Sequence, residues 1–146
     1  MVCLGEAIYD LRTGDRSEGV TQEYAGDVIM HYAFQVEINR IRFLSESQYL
    51  KFYSDRNEKW ELLCLICSLD GDPRYGVYDY LGMLKTIRCS NLTLLKFLRE
   101  RIKCGDFIVV PGEKKSRKTL RPSEGLMNEF RVYQEQWIGW VNEASA

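Results

Sequence analysis

The chain has 146 residues, 45% hydrophobic and 28% charged, with 20 Lys and Arg against 21 Asp and Glu for a net charge of −1. That is the composition of one soluble globular domain, long enough for a real core and too short for two substantial ones. No apolar run approaches the about 20 residues that a membrane span requires, so no membrane partner is expected.

The first residues, MVCLGEAIYDLRTGDR, carry acids early and lack a basic start followed by an apolar core. No secretory leader is therefore expected, and the expected location is cytoplasmic. Five cysteines (Cys3, Cys64, Cys67, Cys89, Cys104) are an odd set for a disulfide framework and in a cytoplasmic chain are expected to be reduced.

In chain order, residues 1–26 hold Gly14, Gly19 and Gly26 among Thr, Ser and Asp, which suggests irregular structure or a short hairpin. From Asp27 to Leu44, Met30, Phe34, Ile38, Ile41 and Leu44 fit one face of a helix capped by Asp27. Tyr32, Phe34, Val36 and Ile38 also alternate as a strand does; length favours the helix. Ser45-Glu46-Ser47-Gln48 has capping-box spacing and predicts a short helix carrying Tyr49, Leu50, Phe52 and Tyr53.

Ser54 or Asp55 then starts a helix from about Asn57 to Leu69, with Trp60, Leu63, Cys64 and Cys67 on one face and Leu62, Leu65 and Ile66 widening the apolar stripe. Asp70-Gly71-Asp72-Pro73 ends it and Gly76 prolongs the loop. Asp79 can cap a helix holding Tyr80, Leu81, Leu84 and Ile87, which stops before Ser90.

Ser90 is a good N-cap for a helix in which Thr93, Leu94, Phe97, Leu98 and Ile102 recur at helical spacing. Gly105 stands where a left-handed C-terminal cap costs least, and Lys103 complements the helix dipole. The period then changes: Phe107–Val110 is a short β run, Pro111-Gly112 breaks it, and Lys114, Lys115, Arg117 and Lys118 form a basic tip before Thr119 and Leu120. Two helices joined by a few residues, the second richer in cations, followed by a hairpin, outline a helix-turn-helix with a wing.

Charge agrees with that outline. From Lys85 to Arg121 there are eleven Lys and Arg against three acids (Glu100, Asp106, Glu113), a balance of +8, so the remaining residues sum to −9. A basic block segregated on a mildly acidic chain is the footprint of a polyanion-binding face.

After the hairpin, Pro122-Ser123-Glu124 opens a final helix in which Met127, Phe130, Tyr133, Trp137 and Trp140 or Val141 advance by three or four residues. An aromatic stripe near a chain end can serve a core or a subunit interface, and Met127, Phe130, Tyr133, Trp137 and Trp140 are the interface candidates of a homodimer.

The segment from Trp60 to about Phe130, half of the chain, resembles the DNA-binding region of MarR-type winged-helix regulators. SRKTLRPSEGLMNEF resembles that family's basic strand, turn and final helix, and Ser90, Thr93 and Lys96 stand where it carries a cap, a Thr and a cation. The chain departs from the pattern at Arg88, where the family has a turn glycine, and at Leu92 and Leu95, where polar residues are usual. Glu113, Lys114 and Lys115 only approximate the acidic-then-arginine wing signature.

The resemblance implies a mostly α fold with a small β-hairpin: a winged helix-turn-helix with N- and C-terminal dimerisation helices. The expected layout is a single domain, 1–146, with N-terminal extension and helices over 1–53, the winged helix-turn-helix over 54–121 and the C-terminal helix over 122–146. It also implies a dimer reading a pseudo-palindromic double-stranded DNA site. Because such proteins often respond to small aromatic ligands or oxidants, a small-molecule effector joins the expected partners, though no residue names one.

The expected DNA contacts divide by type. On a helical wheel Leu92, Leu95, Lys96, Arg99 and Lys103 face away from Leu94, Phe97 and Leu98. Arg99 can pair with guanine bidentately, and Asn91 is the amide candidate for adenine. Leu92 and Leu95 either touch thymine methyls or pack on a partner element. Lys114, Lys115, Arg117 and Lys118 are expected along phosphates, where contacts position the protein and make affinity depend on salt.

No nucleophile elbow, phosphate loop or carboxylate constellation suggests an enzyme, and no cofactor is expected. Cys64-x-x-Cys67 could join Cys89 and Cys104 in a zinc site, but the pair lies in an apolar helix without a glycine knuckle and is read as buried small hydrophobes, with a redox sensor as the alternative. Cys104, beside Lys103, is the candidate reactive thiol. His31 has no identifiable ligand partners, and Asp70, Asp72 and Asp79 are turn and cap residues rather than a calcium loop. Two other readings stay open: a winged-helix module that binds a protein and no DNA, favoured by Leu92 and Leu95, and a small enzyme.

Overall fold

A computed structural model describes residues 19–86 and 89–145, with side chains from Ile29 onward. The protein is mostly helical with one small antiparallel hairpin. In chain order it runs α1 (Gly19–Glu46), a 3-10 turn (Leu50–Phe52), α2 (Asn57–Leu69), α3 (Val77–Met83), α4 (Asn91–Lys103), β1 (Phe107–Pro111), β2 (Lys118–Pro122) and α5 (Glu124–Ser145). The chain divides into two compact units, Ser45–Arg131 and a second made of the described residues up to Leu44 with those from Val132 onward.

The core of the Ser45–Arg131 unit is built by Leu50, Tyr53, Leu62, Leu63, Ile66, Tyr80, Leu94, Leu98, Leu120 and Leu126, all fully buried. Leu62, Leu63 and Ile66 share one side of α2, and Leu94, Leu98 and Arg101 share one side of α4 at the i, i+4, i+7 spacing of a helix face. Tyr53 stands between Phe97 and Phe107, edge-on to both at ring distances of 5.3 and 6.3 Å.

Local rules set the ends of α4. The Ser90 hydroxyl accepts the Thr93 N–H at 3.2 Å, the expected cap. At the other end the Gly105 N–H bonds to Ile102 O and the Asp106 N–H to Arg101 O, a Schellman motif. It needs a left-handed residue, and Gly105 has φ +90°.

The hairpin pairs Phe107 with Pro122 through Pro111 with Lys118, so β1 runs one residue past its expected end at Val110 and includes Pro111. It is held by the 70–76 segment. Gly71 N–H donates to Leu120 O at 3.1 Å, Glu113 N–H to Pro73 O at 3.0 Å, and Thr119 Oγ1 to Tyr75 O at 2.7 Å.

Several local expectations give way. The helix expected from Asp27 already runs from Gly19, so Asp27 is no cap, Gly19 and Gly26 are helical, and the strand alternative over 32–38 is excluded. Residues 1–18, with Cys3 and Gly14, lie outside the described residues. The Ser45–Gln48 box does not cap a helix. Instead the Glu129 carboxylate accepts the N–H groups of Gln48, Tyr49 and Leu50 at 3.2, 2.7 and 2.9 Å, over a single 3-10 turn. Arg56, not Ser54 or Asp55, occupies the cap position of α2 and makes no side-chain cap bond. Asp79 lies inside α3, at the third helical position, where its Oδ2 accepts the Gly76 N–H at 2.7 Å. Ile87 and Arg88 are outside the described residues, and α3 ends at Met83.

In the second unit, Arg40 Nε donates to the Tyr133 hydroxyl at 3.0 Å, and Phe43 meets both Tyr133 and Trp140 at ring distances of 5.9 and 6.1 Å. No helix among the described residues is long and apolar enough to cross a membrane.

Candidate functional site

Between α4, the hairpin and the first turn of α3 lies a cleft of about 610 Å³. Its floor is aliphatic: Val77, Leu95, Leu98, Ile102 and Val109. Its rim carries Arg99 and Lys103 from α4 and Lys114, Arg117 and Lys118 from the hairpin, with Asp79, Ser116 and Tyr78 beside them. Arg99 and Lys103 are one helical turn apart on the side of α4 away from Leu94, Leu98 and Arg101, so burying the latter points the former outward.

The cations of the basic block have different roles. Arg101 is not on the surface. It is buried, its NH1 is 3.5 Å from Asp106 Oδ2, and its guanidinium lies 3.8 Å over the Phe52 ring. Arg117 is only 21% exposed, with Nε 3.6 Å from Asp79 Oδ2 and NH1 3.9 Å from Glu113 Oε2. It anchors the hairpin loop to α3 rather than standing free for phosphate. Arg121 approaches Asp70 at 3.8 Å. Lys96, Arg99, Lys103, Lys114, Lys115 and Lys118 are exposed and carry no ion pair among the described residues.

Five of the expected DNA-contacting residues thus meet around one cleft: Arg99, Lys103, Lys114, Arg117 and Lys118. Lys96 and Lys115 are exposed outside its lining, as is Asn91 at the first position of α4. Ser90 and Thr93 face each other at 2.9 Å in the cap, and their hydroxyls are engaged there. Sequence reasoning passed over Tyr78, which is 73% exposed at the mouth of the cleft. Its signal was an aromatic that fits neither the apolar period of α3 nor a turn.

The connector between α3 and α4 is fastened by Glu61 of α2. One carboxylate oxygen accepts Lys85 N–H at 2.7 Å, Thr86 N–H at 3.2 Å and the Thr86 hydroxyl at 3.1 Å. Partial burial raises the Glu61 carboxyl, but the hydrogen bonds from Lys85 and Thr86 together outweigh it and hold the group below the ordinary glutamate range.

The cysteines of α2 are half-buried. Burial pushes the Cys67 thiol up to about 12 and raises Cys64 as well, so both are neutral thiols at neutral pH. Cys104 is exposed at the end of α4, with Arg101 NH2 3.2 Å from its sulfur. Among the described residues no three His, Cys, Asp or Glu side chains converge to hold a metal ion.

The aromatic stripe of α5 is largely occupied within the chain. In the Ser45–Arg131 unit Phe130 stacks on Trp60 at 5.9 Å; in the other unit Tyr133 is buried and Trp140 meets Phe43. Met127 and Trp137 are half-buried. Val132 and Ile138 of α5 are exposed, and on α1 Met30, Phe34, Ile38 and Ile41 are all exposed at spacings of four, four and three residues.

No protein-family model matches the chain, and no curated protein or solved structure matches it either.

Proposed function

We propose that the chain is a dimeric winged helix-turn-helix protein of MarR type that binds double-stranded DNA sequence-specifically and acts as a transcriptional regulator. In this reading α3 and α4 are the helix-turn-helix pair, α4 is the recognition helix and the hairpin is the wing. The exposed face of α1 and the α5 residues with it form the dimer surface. The observation that carries the reading is the convergence of four cations with no ion pair among the described residues, Arg99 and Lys103 from a helix and Lys114 and Lys118 from a hairpin, around one cleft. A helix entering the major groove beside a strand pair that follows the backbone requires this placement.

The test is a set of binding isotherms, at several salt concentrations, for one duplex selected from a random library and one scrambled duplex. Lys114→Ala with Lys115→Ala should weaken both duplexes alike and lower the salt slope by roughly one to two units. Arg99→Ala or Asn91→Ala should instead narrow the gap between the two duplexes by roughly 1–3 kcal/mol per lost base contact. The exposure of Leu92 and Ile108 favours a second reading, a winged-helix module for a protein partner. Absence of affinity for either duplex at low salt selects it.

A further inference from the structure

Duplex phosphates explain the cations of the cleft but not its floor. Leu95 and Ile102 are half-buried and Val109 is exposed, on the same concave surface that carries Arg99, Lys103 and Lys114. At the mouth stands Tyr78, at 73% the most exposed of the large hydrophobic residues described. Apolar side chains held open to water among cations that carry no ion pair among the described residues call for a ligand that is anionic and has a bare apolar face. A base inside a duplex lacks that face, because its neighbours in the stack cover both sides. An unpaired nucleotide has it, with a phosphate on the same residue.

We propose that the cleft between α4 and the hairpin takes an unpaired nucleotide, its phosphate on Lys103, Lys114 and Lys118 and its base against Tyr78 and the aliphatic floor. The proposal rests on the DNA-binding reading above and adds the form of nucleic acid preferred: duplex that carries a single-stranded tail. The cleft volume of about 610 Å³ suits such an occupant, lying within the roughly 300–1,000 Å³ of sites that enclose small molecules. A positively charged groove beside an exposed aromatic ring is the arrangement that holds single strands, since every base has a stacking face. The one acid of the lining does not oppose it, because Asp79 already receives Arg117 and the Gly76 N–H. Ser116 and the Tyr78 hydroxyl are the neutral hydrogen-bonding side chains there, so the base in the cleft is held with little regard to its identity.

The experiment compares the full chain on a blunt duplex, on the same duplex with a short thymidine tail, and on the tail alone as an oligonucleotide, at matched salt. The tailed duplex is expected to bind about tenfold more tightly than the blunt one, the scale of one base stacked on an aromatic side chain. The readout is the ratio of the two affinities, which cancels general electrostatic effects of a substitution. Tyr78→Ala should bring the ratio near one, and Tyr78→Phe should keep it. Leu95→Glu should abolish it as well. A fluorescent purine analogue at the first unpaired position should change emission with wild type and Tyr78→Phe only.

Equal affinity of wild type for blunt and tailed duplexes overturns the proposal and leaves the duplex-binding function standing. A ratio unchanged in Tyr78→Ala overturns it too, since the tail then adds only charge. If neither duplex binds, the function proposed above fails, and the oligonucleotide decides alone: Tyr78-dependent binding upholds the cleft, and no binding overturns it.

Discussion

Tyr53, Asp106 and Arg101 form the buried polar centre of the Ser45–Arg131 unit. The Tyr53 hydroxyl donates to Asp106 Oδ2 at 2.7 Å, and Arg101 NH1 stands 3.5 Å from the same oxygen. Burial pushes the phenol far above its ordinary range, with the Asp106 bond adding to it. Burial also raises the Asp106 carboxyl, and Tyr53 and Arg101 only partly offset that. An acid raised in the folded state binds its proton more tightly there than in the unfolded chain. Its contribution to stability therefore falls as pH climbs from the ordinary aspartate range through the raised value. Tyr53→Phe removes the donor and leaves a buried carboxylate short of one partner, at a cost of about 1–3 kcal/mol. That deficit, measured by urea unfolding, should be larger at neutral pH than in acid, where Asp106 is protonated. A deficit independent of pH would mean that the lost bond is not coupled to the charge.

At the scale of elements, the hairpin is a fixed arm rather than a loose one. A Cβ placed on Gly76 would stand 2.5 Å from Arg117 Cγ and 3.1 Å from Lys118 O. Gly76→Ala must push Arg117 away from Asp79, with an expected loss of about 1–3 kcal/mol. Hydrogen exchange at the hairpin amides should quicken in Gly76→Ala and in Arg117→Ala and stay unchanged in Lys115→Ala, whose side chain is exposed at the tip. The same elements show what the sequence made legible. The ends of α4 could be read because Ser90 and Gly105 act within a few residues of themselves. The Ser45–Gln48 box misled because a carboxylate 79 to 81 residues away, on Glu129, takes the N–H groups of that turn. The local excess of charge that includes Arg99, Lys103, Lys114 and Lys118 could be counted, but their meeting around one cleft could not. The burial of Arg101 could not, since charge counting is blind to the Phe52 ring that covers it, nor could the capture of Arg117 by Asp79, 38 residues away.

For the whole molecule, the dimer proposed above rests on the exposed face of α1. Met30, Phe34, Ile38 and Ile41 are 48, 60, 37 and 60% exposed. They follow one another at helical spacing, so they form a continuous ridge rather than scattered surface residues. Across a two-fold axis the same residues of each copy face those of the other, so a ridge on one helix can meet itself, and a second copy is the occupant under the proposed function. The chain of 17.1 kDa is therefore expected to sediment at micromolar concentration as a particle of twice that mass. Phe34→Glu and Ile41→Glu place carboxylates on the ridge without touching the Tyr53 core, so each should give a folded monomer with unchanged helical circular dichroism. On DNA such a monomer can hold only one half of a pseudo-palindrome. It should lose affinity for a full site while keeping that for an isolated half-site, because the cleft between α4 and the hairpin belongs to one chain. Sedimentation of the wild type at 17.1 kDa would remove the dimer, and with it the expectation of a two-fold operator.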